Sequence, residues 1–361
     1  MNLSMDEKIG QRFIFGVNDN NIECIITLIK KCYIGGVVLY KKNYNSYQEL
    51  LDVVNRLKDA NKDNKIPLLI AIDQEGGRVN RMPLEIHNFK NIYDMSKFSD
   101  KLVIDNARIT GKMLYNIGIN MNLAPVMDIY NNSKSKVLDK RCFYGDMDNV
   151  SKLGINYMKE LKNNGIIPVI KHFPGHGGTK IDSHLLVPYI FNYKEVLDKH
   201  IIPFKNAINN GSEVIMMGHL IIRKLTGGLP ASIASDFINK YLRQELKYEG
   251  VIITDEINML KKNIFYRGIY LKKALGSLND ILLIKIKNVA EGLKTINKYK
   301  EILLNDKNIS RELDNSVKRI VDLKKRYNLS DKQECNKISI KEINDEIDKI
   351  NETLLKEENK I

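Results

Sequence analysis

Short apolar and β-branched runs recur along the chain, separated by longer stretches in which apolar positions return at helical spacing. Eight such runs stand out: Arg12 to Val17, Gly36 to Tyr40, Leu68 to Asp73, Asn120 to Asp128, Pro168 to Phe173, Val214 to His219, Val251 to Asp255 and Ile281 to Ile284. Strand-length runs alternating with helical patterns are the habit of βα units around a parallel sheet. The pattern therefore predicts an α/β protein, and a closed (β/α)8 barrel of the TIM type rather than an open doubly wound sheet, because no Gly-x-Gly-x-x-Gly follows the first run.

Beyond about residue 300 the chain reads as helical and charged. Ser339-Ile340-Lys341-Glu342 has the form of a capping box, and Ile340, Ile343, Ile347, Ile350 and Leu354 follow at steps of three and four. That stripe is expected to pack on the barrel; the alternative is a short coiled-coil face for a partner. No Pro/Ser-rich linker, solenoid repeat or low-complexity stretch marks off a second domain. The expected organisation is a barrel over residues 1–330 and a packed C-terminal helix over 331–361.

Composition narrows the function classes. Hydrophobic residues at 43% and charged residues at 28% describe an ordinary globular protein with material for a large core, and no window resembles a membrane span. A net charge of +13 raises the question of nucleic acid, yet the lysines are spread along the chain without arginine clusters or interleaved aromatics, so neither nucleic acid nor membrane is expected as a partner. Cys24, Cys32, Cys142 and Cys335 are scattered without Cys-x-x-Cys spacing, which suits reduced thiols. The first residues carry no basic stretch followed by an apolar one, and the expected location is the cytoplasm.

The polar residues that matter gather at the ends of the expected strands: Asp73, Asp128, Lys171 with His172, His219 and Asp255. In a barrel of this kind chemistry collects there. Asp73, Glu75, Arg78 and Arg81 surround a glycine turn, and such a set can receive hydroxyl donors and make forked guanidinium contacts, or simply form structural ion pairs. Asp255 is placed to act as a nucleophile or to cap the next helix; Glu256 would point to the opposite side if the strand continued.

The densest stretch runs from Lys171 to His184 and holds three of the six histidines. His172 and His176 have the spacing of zinc ligands on a helix, but Pro174 between them rules out a helix interior. Gly175, Gly177 and Gly178 match neither phosphate-binding fingerprint. Asp182-Ser183-His184 can bring a carboxylate to an imidazole and so make a proton shuttle.

Together these segments resemble glycoside hydrolase family 3, and within it the β-N-acetylglucosaminidase branch. The resemblance rests on Ala71 to Arg78, Gly118 to Asp128, the Lys-His-Phe-Pro-Gly-His-Gly run from Lys171 with its Asp-Ser-His ending at His184, Gly250 to Asp255, and Leu313 to Ile320. It implies a (β/α)8 barrel that uses no cofactor and no metal. It also implies Asp255 as nucleophile, His184 as general acid/base with Asp182 as its partner, and Asp73, Arg81, Arg141, Lys171 and His172 as the groups holding N-acetylglucosamine. The reaction implied is retaining, exo-acting hydrolysis of terminal β-linked N-acetylglucosamine from muropeptides or chitin-type oligosaccharides through a glycosyl-aspartate. Phosphorolysis of the same intermediate and a degenerate sugar-binding barrel are the competing expectations. Departures from the pattern fall at Gly178, Lys180, Glu256 with Ile257, and Cys142 after Arg141.

Overall fold

A computed structural model describes residues 2–17, 19, 22–130, 138–177, 187–262, 269–332, 335 and 338–360. Nine strand segments among them occupy eight barrel positions: β1 (Phe13–Gly16), β2 (Gly36–Leu39), β3 (Leu69–Ile72), β4 (Met121–Asn122), β5 (Ile167–Pro168), β6 (Ile170–Phe173), β7 (Val214–Met217), β8 (Val251–Thr254) and β9 (Leu282–Lys285). All pair in parallel, in one arc ordered β5-β4-β3-β2-β1-β9 and a second ordered β6-β7-β8. Isolated parallel bridges, Val126 to Lys171 and Ile253 to Ile281, join the two arcs and close the barrel. The eight runs of the sequence are thus the eight staves.

The fourth run is shorter as a strand than the sequence predicts. Of Asn120 to Asp128 only Met121 and Asn122 form a regular strand, because Pro125 has no N–H to give to a ladder. Pro168 has the same effect on the fifth stave, which is split at Val169; the Val169 N–H donates to the carbonyls of both Asn122 and Ala124 at 3.0 Å.

Side chains alternate along each strand, as the period of two requires. Ile14 points into the barrel with Val38, Ala71, Met216, Ile253 and Leu283, while its neighbours Phe13 and Phe15 pack outward under the helices. Helix starts follow capping chemistry: Ser46 accepts the Glu49 N–H at the head of the Tyr47–Asn61 helix, and Ser99 accepts the Lys101 N–H at the head of Asp100–Ile117.

The Lys307–Arg326 helix closes the floor by placing Ile320 and Leu323 against the interior residues. Lys324, fully buried, donates to Gln11 Oε1 at 2.7 Å and to the carbonyls of Gly35 at 2.8 Å and Pro67 at 2.7 Å, just ahead of β2 and β3. The Ile340–Glu358 helix starts at Ser339, whose Oγ accepts the Glu342 N–H at 3.2 Å, the half of the expected capping box seen among the described residues. Its Ile343, Ile347, Ile350 and Leu354 are buried in the outer core, and Ile340 lies at the edge. Among the described residues no helix is long and apolar enough to cross a membrane.

Candidate active site

A cavity of about 680 Å³ opens at the carboxyl ends of the strands, within the size range of small-molecule sites. Six of the residues expected in the site line it: Asp73, Arg81, Arg141, Lys171, His172 and Asp255. Asp182 and His184 lie outside the described residues, as do Gly178 and Lys180.

The wall after β3 is an ion-pair frame. Lys171, delivered by β6 and almost wholly buried, places Nζ 2.9 Å from Asp73 Oδ1 and 2.6 Å from Glu75 Oε1. Arg141 approaches Glu75 from the other side, with Nε 2.8 Å from Oε2 and Nη2 2.7 Å from Oε1. Burial alone would push the Glu75 carboxyl up, but the Arg141 and Lys171 charges overcome it and hold the group well below the usual carboxylate range. Burial likewise opposes the Lys171 ammonium, and Asp73 and Glu75 keep it charged. Arg81 stands farther off, Nη2 4.0 Å from Asp73 Oδ2. Its backbone is fixed instead: the Arg81 N–H donates to Gln74 Oε1 at 2.8 Å, and its carbonyl accepts from Tyr44 Oη at 2.9 Å.

His172 is oriented by a residue at the end of the fourth run. Asp128, with no exposed surface, accepts His172 Nδ1–H at 2.7 Å and the His176 backbone N–H at 2.6 Å. A carboxylate on Nδ1 fixes the proton there. Burial works against the Asp128 charge, but His172 and the hydrogen bonds keep its carboxyl below the usual value. Burial pushes the neighbouring His176 imidazole down to about 4, so near neutral pH it is uncharged. The glycines that follow permit a close approach: a Cβ at Gly177 would stand 1.7 Å from the Ile129 carbonyl oxygen.

Asp255 emerges directly after β8. Its N–H donates to the Met217 carbonyl at 2.9 Å and its Oδ1 accepts the Glu256 N–H at 2.7 Å. Burial would raise its pKa, yet His219, His172, the Glu256 N–H and Lys171 together lower it, leaving an ionised carboxylate facing the cavity. Such a group can attack an electrophilic carbon.

Glu256 corrects the sequence reading. It lines the same cavity as Asp255 rather than pointing away, because β8 ends at Thr254 and the chain turns into a 3-10 segment at Ile257. Glu256, not Asp255, takes the capping place, with Oε1 accepting the N–H groups of Asn258 at 2.9 Å and Lys285 at 3.0 Å. Burial and the Asp255 charge push its carboxyl up.

Other lining groups escaped the sequence reading. Glu75 belonged to a noted cluster but received no part of its own; the frame that makes it necessary joins the loop after β3, Arg141 from the segment after β4 and Lys171 from strand β6. Tyr40, Lys41 and Lys42 follow β2, and Lys285 ends β9 with Nζ 4.5 Å from the centre of the Tyr40 ring. Their signal was present in their strand-end positions. His219, noted for that position, is anchored by Ser232 Oγ at 2.6 Å from Nδ1 and by the Glu256 carbonyl at 2.9 Å from Nε2.

Comparison with known proteins shows the family of the chain. Residues 4–323 match the glycosyl hydrolase family 3 N terminal domain. The chain is 30% identical over 332 residues to beta-hexosaminidase A of Pseudoalteromonas piscicida, an alignment spanning 82% of this chain and 54% of that protein. It is 31% identical over 253 residues to a beta-hexosaminidase of Photobacterium profundum, spanning 69% of this chain and 73% of that one. Among solved structures, a glycoside hydrolase family 3 beta-N-acetylglucosaminidase from Paenibacillus sp. superposes with a TM-score of 0.86 at 26% identity, over 97% of this chain and 68% of the other. The chain thus spans about half the length of the first of these relatives and more of the other two.

Proposed function

The chain belongs to glycosyl hydrolase family 3, and from that premise we propose that it is a retaining exo-β-N-acetylglucosaminidase. The observation that carries the reading is an ionised Asp255 sharing one cavity with Asp73, Arg81, Arg141, Lys171 and His172. In the proposed reaction the sugar hydroxyls and acetamido group lie against Asp73, Arg81 and Arg141, with Lys171 and His172 beneath. An Asp255 oxygen bonds to the anomeric carbon as the bond to the leaving oxygen breaks, and His184, oriented by Asp182, gives that oxygen its proton. His184 then takes a proton from water, whose oxygen displaces Asp255 and restores the original configuration.

On the aglycone side the proposal favours muropeptides over neutral chitin fragments. Glu75 is compensated within the frame and Asp73 shares Lys171 with it, whereas Lys41 and Lys42 at the same cavity are exposed, with Lys285 half-buried beside them. Cations so placed attract a leaving group that carries carboxylates. Use of the enzyme in cytoplasmic recycling of peptidoglycan fragments belongs to the same proposal, and cell fractionation with analysis of the muropeptides that accumulate in a deletion strain tests it.

Turnover of aryl β-N-acetylglucosaminide against aryl β-glucoside, each with and without phosphate, tests the reaction itself. The expected result is preference for the N-acetylated sugar, release of the β-anomer first, and no sugar 1-phosphate. Initial release of the α-anomer would overturn the glycosyl-aspartate.

A further inference from the structure

The Ile340–Glu358 helix lies outside the residues 4–323 that match the family domain, yet it reaches the loop that follows β3. Asn344 and Asn351 are two helical turns apart and share a face. Each uses both ends of its amide. Asn344 Oδ1 accepts the His87 N–H at 2.8 Å, and its Nδ2 donates to the Glu85 carbonyl at 2.9 Å. Asn351 Oδ1 accepts the Lys90 N–H at 2.9 Å, and its Nδ2 donates to the Asn88 carbonyl at 3.0 Å. Between them Asp348 meets His87 Nδ1 at 2.9 Å. One helix face therefore holds four backbone groups of a loop, much as a neighbouring strand would.

That loop in turn holds the turn behind the ion-pair frame. The Gly77 N–H donates to the Phe89 carbonyl at 3.0 Å, and Asn88 Nδ2 donates to the Gly77 carbonyl at 2.6 Å. Gly77 has φ +56°, and a Cβ there would come within 3.0 Å of Asn91, so the turn has little room to shift against the loop. Gly76 and Gly77 follow Asp73 and Glu75 directly, and Val79 pairs back to Glu75 and Gly76 just before Arg81. The helix itself is seated by its buried apolar stripe and by Glu346, which meets Arg108 at 3.1 Å and Lys112 at 3.0 Å on the Asp100–Ile117 helix.

We propose that the Ile340–Glu358 helix braces the substrate pocket. Asn344 and Asn351 are positioning residues that act through the 85–90 loop and the Gly76-Gly77 turn to set where Asp73, Glu75 and Arg81 stand. Neither asparagine touches the cavity.

The test compares Asn344→Ala/Asn351→Ala with Glu346→Gln, which loosens the same helix at its seat without touching the loop. Hydrogen exchange needs no substrate: amides of residues 73–91 should exchange about tenfold faster in the double variant, and no faster in Glu346→Gln. On an aryl β-N-acetylglucosaminide, an arm that rests on the proposed function, the double variant should raise KM about fivefold with kcat changed less than about twofold, since uniform binding is lost. Asn344→Asp keeps the acceptor for His87 and loses the donor for Glu85, and should fall between. Unchanged exchange over 73–91, or the same KM in both helix variants, would overturn the brace. Faster exchange in a protein that turns over no N-acetylglucosaminide would keep the brace and overturn the sugar reading. If the double variant does not fold, Asn344→Ala and Asn351→Ala carry the same comparison singly.

Discussion

Arg141 grips Glu75 at two points, Nε to Oε2 at 2.8 Å and Nη2 to Oε1 at 2.7 Å. Lys171 adds a third contact to the same carboxylate, so Glu75 is fully compensated inside the wall of the cavity. Asp73 is not: its side chain keeps 22% exposure against 5% for Glu75, and it shares Lys171 while facing the open space. The frame thus spends one acid on rigidity and presents the other to a ligand. Planar guanidinium against planar carboxylate makes that frame directional, which a lone lysine would not.

Removing Lys171 should unbalance the frame. Lys171→Met leaves two carboxylates close together with Arg141 as their main partner, and loss of one member of a buried ion pair costs about 3–5 kcal/mol. Chemical denaturation should show a fall of that order. An unchanged midpoint would mean that water or Arg81 takes over the role.

Asp255→Asn should abolish turnover while sparing the fold. The amide oxygen can still accept the Glu256 N–H, but it cannot form the glycosyl ester, and kcat/KM on an aryl N-acetylglucosaminide should drop by about 10⁴-fold or more. Thermal unfolding within a few degrees of the native protein completes the expected result. Substantial residual activity would remove Asp255 from the nucleophile's place.

The acid limb of the pH profile should report Asp255. Attack needs the ionised carboxylate, and although burial opposes it, the His219 and His172 imidazoles, the Glu256 N–H and Lys171 hold its pKa below the ordinary value. As pH falls, kcat/KM should therefore survive until below the ordinary aspartate range, about 3.9. His219→Asn withdraws one of those lowering influences, so Asp255 picks up its proton at higher pH and the acid limb moves upward. A limb that stays put or moves downward would exclude His219 from this role.

Lys324→Met should weaken the floor of the barrel without touching the chemistry. The carbonyls of Gly35 and Pro67 would lose a buried donor, at roughly 1–3 kcal/mol for each group left unsatisfied. Denaturation should show the loss, and KM should remain unchanged because Lys324 sits at the end of the barrel opposite the cavity. A raised KM would show that floor and site are coupled.

Much of the fold was legible because it is local. Each stave is a run of β-branched and apolar residues a few positions long, and each strand end exposes the next polar residue to the same rim, so Asp73, Lys171, His172 and Asp255 could be placed in one region from spacing alone. Where proline removes a ladder donor, as at Pro125 and Pro168, the sequence reading overestimated or merged strands, since pairing depends on which neighbour is there to accept. The apolar stripe from Ile343 to Leu354 announced a buried face, but not the polar asparagines on the same helix that reach the 85–90 loop.

By itself the sequence determined the alternation of strand and helix, the family likeness and the chemical types at the rim, because periodicity and residue chemistry are properties of short segments. Only the tertiary structure decided which charge neutralises which. Glu75 remains ionised because Arg141, 66 positions along the chain, arrives beside it. Glu256 turns toward the cavity because β8 stops one residue before Asp255. Both outcomes depend on burial and on partners brought from distant segments, and the energy of a charge is set by those surroundings rather than by its neighbours in the chain.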